Sequence, residues 1–149
     1  MHRILVWMMV GMMAIALLGC GDDKGTEATA PPLTGYYQGT YTPNGGSWWT
    51  GGGGGMMELM LVQQSGGKIT GTVTFEEDWT RTIVDGSIIA NTLSFKLNED
   101  DPDHKEDVFT ATVSEDRSLL FEGKCTKPST PFGVESRLVG TWSAYRASS

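Results

Sequence analysis

Residues 68–75 read Lys68-Ile69-Thr70-Gly71-Thr72-Val73-Thr74-Phe75, and this stretch decides the fold. Ile69, Gly71, Val73 and Phe75 fall on one face and Thr70, Thr72 and Thr74 on the other, which is the period-two pattern of a strand with one face in a core and one in water. A helix would need apolar residues at i, i+3 and i+4. Outside residues 4–18 no stretch has that spacing.

The same alternation extends outward along the chain. Leu93, Phe95 and Leu97 alternate with Ser94 and Lys96, and Phe109, Ala111 and Val113 alternate with Thr110 and Thr112. Leu119, Phe121 and Gly123 alternate with Leu120 and Glu122, with Cys125 in the same phase. Leu138, Gly140, Trp142 and Ala144 oppose Val139, Thr141, Ser143 and Tyr145. Turn-forming residues separate these runs at Ser65-Gly66-Gly67, Ala90-Asn91 and Glu115-Asp116-Arg117. The spacing predicts strands over 36–42, 57–64, 68–76, 79–89, 92–97, 108–114, 118–125 and 137–146, the fourth kinked at Asp85-Gly86. The expected inward set is Leu59, Leu61, Ile69, Val73, Phe75, Leu93, Phe95, Phe109, Val113, Phe121, Leu138 and Trp142.

Glycines recur inside these runs, at Gly39, Gly71 and Gly140, where they mark the tight bends of a closing sheet. Closure also removes the unpaired edges that an open meander of this size would expose. The fold class expected is therefore all-β, an up-and-down antiparallel β-barrel of about eight strands, in preference to a two-sheet sandwich. Eight strands enclose a space filled by side chains or by one small ligand.

The N-terminus has a different texture. Arg3 precedes an uncharged apolar run over 4–18, which ends in Leu17-Leu18-Gly19-Cys20. A basic start, an apolar core and a small residue at the cut are the parts of a secretory signal; the competing reading is a transmembrane helix, since 4–21 reaches the lower limit of about 17 residues. The cysteine separates them, because Leu17-Leu18-Gly19-Cys20 resembles the lipobox of bacterial lipoprotein precursors. That resemblance implies cleavage between Gly19 and Cys20, a diacylglycerol on the Cys20 sulfur and an acyl group on its amine. Two such anchors hold a protein on a membrane where one holds it only marginally. With Gly21 rather than an acidic residue after the cysteine, the resemblance implies the outer membrane of the bacterial envelope. The domain plan is a signal peptide over 1–19, a lipidated tether over 20–34 poor in apolar residues, and a barrel over 35–149.

Loss of residues 1–19 from the 149 leaves 130, room for one domain. The formal charge of −7 includes Arg3, so the mature chain stands at −8. No basic patch accompanies this acidity, which argues against nucleic acid as a partner. With Cys20 carrying lipid, Cys125 has no partner within the chain and reads as a small core hydrophobe; a reactive thiol would need an activating group that its sequence neighbours do not supply.

Two further segments, Gly35-Tyr36-Tyr37 and Gly140-Thr141-Trp142-Ser143-Ala144-Tyr145-Arg146, resemble the calycin group of lipocalins, fatty-acid-binding proteins and avidins. Those barrels pack a first-strand tryptophan beneath an arginine of the last strand. Here Tyr37 stands where the tryptophan is expected and Arg146 is the covering cation. The resemblance implies ligand or protein binding as a habit of the group, without specifying a ligand.

Candidate chemistry is sparse. The acidic stretch 99–107 lacks the glycine and spacing of a calcium loop, and reads as a solvated hairpin loop. His104 is the lone histidine of the mature chain, so neither a histidine zinc site nor a histidine-based triad is built from it. Glu76-Glu77-Asp78 places carboxylates side by side rather than across a cleft. No catalytic residue, metal or cofactor is assigned. Trp48 and Trp49, before the glycine run 51–55, offer large apolar surfaces in a loop. They are candidates to lid the barrel or to touch a partner or the membrane, and Trp142 and Arg146 are the other candidate contacts. The expectation is a non-enzymatic, membrane-anchored binding or interaction module for a small apolar ligand or an envelope protein. The alternatives are a packed structural barrel with no ligand and, third, a hydrolase.

Overall fold

The computed structural model describes residues 30–44, 54–76, 79–100, 104–128 and 137–148. The signal segment with Gly19 and Cys20, most of the tether, and Trp48 and Trp49 lie outside the described residues. Eight strands follow one another in sequence order around a closed barrel: β1 (Gly35–Pro43), β2 (Gly55–Gln63), β3 (Lys68–Phe75), β4 (Trp79–Ile89), β5 (Thr92–Leu97), β6 (Val108–Val113), β7 (Leu119–Lys127) and β8 (Arg137–Arg146). All neighbours are antiparallel, and β8 closes on β1 from Tyr37↔Arg146 to Pro43↔Gly140. That seam rules out the sandwich. No α-helix occurs among the described residues.

Alternation carries one side chain in two to the inside, where Tyr37, Tyr41, Leu59, Val73, Phe75, Leu93, Phe95 and Phe109 are all at most 1% exposed. Aromatic rings span this interior. Phe109 stacks on Phe95 with centroids 5.1 Å apart and lies 6.4 Å from Phe75; Phe75 in turn meets Tyr41 at 5.8 Å and Trp79 at 5.3 Å. Trp142 closes the row against Phe95 at 6.0 Å.

Strict alternation fails where an extra residue enters a strand. Asp85 has φ 51° and the β4–β5 register shifts between Val84 and Ser87, so the kink expected at Asp85-Gly86 is a bulge that turns Ile88 inward after Ile83. In β7 the same device overturns an expected phase. Glu122 has φ 52° and the register against β8 shifts between Leu120 and Gly123. Leu120 is therefore buried, whereas Leu119 (48%) and Phe121 (39%) are exposed, and the bulge restores Gly123 and Cys125 to the inside. A second shift, between Cys125 and Thr126, leaves Leu138 half-buried and packs Val139 against the core. The folded part also reaches back before Gly35, because Leu33 is fully buried.

The two ends of the barrel differ. At one, the turn end, lie the incoming residues 30–34, the short connections 64–67, 90–91 and 114–118, and the outgoing residues 147–148. At the other, the loop end, lie the connections 44–54, 76–78, 98–107 and 128–136.

Candidate functional site

The turn end is plugged. Leu33 enters the barrel mouth and its amide donates to Gln63 Oε1 at 2.6 Å, while the Gln63 amide donates to Thr34 Oγ1 at 3.0 Å. Arg146, leaving β8 beside them, lies over the Tyr37 ring at 5.5 Å and donates through Nη2 to the carbonyls of Thr34 (2.7 Å) and Pro32 (3.2 Å). The Tyr37 hydroxyl crosses the mouth to donate to the Arg117 carbonyl at 2.7 Å. Burial pushes the Tyr37 phenol above its ordinary value, the nearby Arg146 charge opposing it.

Asp116 makes that carbonyl available. It accepts from the Ser114 hydroxyl (2.6 Å), the Ser118 amide (3.0 Å) and the Ser118 hydroxyl (2.7 Å), which closes the turn and leaves Arg117 at φ 61°. Those donors, the Ser114 hydroxyl first, hold the Asp116 carboxyl down at about 2. A depressed folded value contributes stability above the unfolded value near 4 and loses it as pH falls toward 2. Thermal unfolding of Asp116→Ala should accordingly fall below that of the parent at pH 7, with the gap closing near pH 2; a gap independent of pH would show that the carboxylate is not the cause.

The loop end is closed by Trp79, packed on the core with the Arg81 guanidinium 4.1 Å from its ring centre. Arg81 also pairs with Glu99 at 2.9 Å, and Lys96 with Glu106 at 2.6 Å. Within the described part of the acidic connection Asp100, Lys105 and Glu106 are exposed, as expected of a solvated loop, while Glu99 is drawn in by Arg81. Asp107 is 1% exposed and meets His104 Nδ1 at 3.1 Å. Cys125 is fully buried, and burial, reinforced by the Asp107 charge, pushes its thiol far above the ordinary range. Buried and held in its protonated form, the Cys125 thiol is a poor nucleophile. Iodoacetamide at pH 8 should leave Cys125 unmodified in the native protein and alkylate it fully in guanidinium; rapid native labelling, read by mass, would contradict this. Among the described residues no three His, Cys, Asp or Glu side chains converge as a metal site.

Two concavities lie on the outer wall. A groove of about 630 Å³ crosses β6, β7, β8 and β1, with Thr40, Thr110, Thr112, Thr141 and Ser143 along it and the opposite charges of Glu122 and Lys124 at one side. Its floor is thin where Gly123 lies against Trp142. A bulge increases local twist, and the one in β7 at Glu122, which shifts the register against both β6 and β8, bends this part of the wall. Beside it, about 240 Å³ of more apolar space is bordered by Leu119, Phe121 and Tyr145.

Of the candidate contact residues, Trp142 and Arg146 do not gather into one site. Trp142 is 4% exposed, is part of the ring row, and donates through Nε1 to the Lys124 carbonyl at 3.3 Å; Arg146 clasps the turn end. Trp48 and Trp49, between β1 and β2 in the sequence, lie outside the described residues. The hydroxyl-lined groove escaped the sequence reading, which treated outward threonines as a wet face. Their alternation was visible, but their assembly into a hollow depends on the bulge in β7. No family model matches the chain, and neither the curated proteins nor the solved structures contain a match to it.

Proposed function

We propose that the protein is a lipid-anchored component of the bacterial envelope, a non-enzymatic interaction module that binds through its outer wall. The signal-like N-terminus and Cys20 support the anchor. One observation carries the choice of surface: the interior is spanned by a row of aromatic rings, whereas the outer wall holds a hydroxyl-lined groove. Hydroxyls beside a Glu122 and Lys124 pair suit a polar ligand or a polypeptide segment better than an apolar cargo. The reading of a packed barrel with no ligand draws on the same ring row.

Native mass spectrometry of protein extracted from its own membrane tests both halves. The expected species begins at Cys20, carries acyl chains and retains a partner or ligand that Thr112→Lys with Ser143→Lys removes without changing thermal stability. A chain beginning at Met1 refutes the anchor. A partner retained by the double variant refutes the groove, and a species with no bound mass favours the unliganded barrel.

A further inference from the structure

Eight large apolar side chains are exposed among the described residues, and six of them lie within four residues of the turn end of their strands: Met60, Val62, Ile89, Leu119, Phe121 and Tyr145. Ile89 is 76% exposed and Tyr145 54%. Leu119 and Tyr145 face each other across β7 and β8, and Met60 opposes Tyr36 across β2 and β1. These side chains lie on β7, β8, β2 and β4, with the half-buried Tyr36 of β1 between β8 and β2, and form a broken apolar rim that β3 interrupts with Lys68. The middle of the wall is different, with the polar Gln38, Glu58, Glu122 and Lys124 facing outward, so among the described residues the apolar side chains concentrate toward one end and do not form a central belt.

We infer that the apolar rim of the turn end rests in the interfacial layer of the membrane to which Cys20 is anchored; this builds on the lipid-anchor reading above. The chain enters the barrel at this end, and residues 21–29 separate Cys20 from the first described residue. Nine residues reach at most about 30 Å however they are arranged, so the turn end is the part of the domain held nearest the lipid. At such a separation the second contact is intramolecular in effect, and weak interfacial affinity suffices. Four residues of tilted strand rise by about 10 Å, comparable with the roughly 5–10 Å to which interfacial apolar faces enter. Charge points the same way. Half of the chain's 18 acidic residues lie in connections 76–78 and 98–107, between strand ends at the loop end, whereas turns 64–67 and 90–91 carry no charge and turn 114–118 carries Glu115 and Asp116 with Arg117. An anionic leaflet therefore repels the loop end more strongly than the turn end.

Site-directed spin labelling tests the orientation. In the mature lipoprotein Cys20 is blocked by lipid and Cys125 is buried, so Ile89→Cys and, separately, Asp100→Cys are each labelled alone. The proteins are reconstituted in vesicles of phosphatidylethanolamine and phosphatidylglycerol. The expected result is a several-fold lower collision rate with an aqueous nickel chelate at position 89 than at position 100, with a higher collision rate with oxygen dissolved in the acyl layer. Equal accessibility at both positions, with intact mass confirming lipid on Cys20, overturns this inference alone. Protection at position 89 from both probes identifies a second protein copy as the cover, and also overturns it. Absence of lipid on Cys20 overturns the anchor and the orientation together.

Discussion

Gly39→Val is expected to prevent the barrel from closing, with a loss on the order of 4 kcal/mol or more, the size reserved for substitutions that the backbone cannot absorb. Gly39 faces inward on β1, and a β-carbon there would land on the Ser143 carbonyl oxygen and 2.6 Å from Ala144 Cα. Both belong to β8, whose pairing with β1 is the seam that makes the sheet a barrel. Relief would require the strands to separate, which opens two edges and exposes the rings beneath. Gly66→Ala is the control: nothing lies within 4 Å of a β-carbon there, and the penalty is the left-handed φ of 73°, about 1 kcal/mol. Urea unfolding of the two variants compares them directly. A Gly39→Val protein within 1 kcal/mol of the parent would mean that the seam is not as tight as described.

Phe109→Ala should cost about 3–5 kcal/mol, the range for removing a fully buried ring. Phe109 is 0% exposed, stacks on Phe95 and touches Phe75, so it links rings contributed by β3, β5 and β6. Its loss leaves a void that neighbouring side chains fill only in part, because each is already held by its own contacts. Against a total stability of typically 5–15 kcal/mol the variant is marginal, and its melting temperature should fall by roughly 10–20 °C. The experiment also bears on function: a cost below about 2 kcal/mol would mean that the interior is loosely filled, and would return a small apolar ligand to consideration.

What the chain determined locally was the fold class. The two-residue repeat in 69–75, 93–97 and 109–113 follows from the pleat of a strand, a property of the residues themselves, and it placed most of the inward set as well as the kink at Asp85-Gly86. What it left undecided were features made by contact between distant strands. Leu119 and Phe121 point outward because the extra residue at Glu122 is counted against β8, a partner beyond the reach of any local pattern. Leu33, in a stretch with too little apolar surface to fold alone, is buried because the turn end offers it a socket formed by β1, β2 and β8. Periodicity is written in neighbouring residues; register, bulges and the hollows of a curved wall arise only when strands far apart in sequence share hydrogen bonds and exclude water between them.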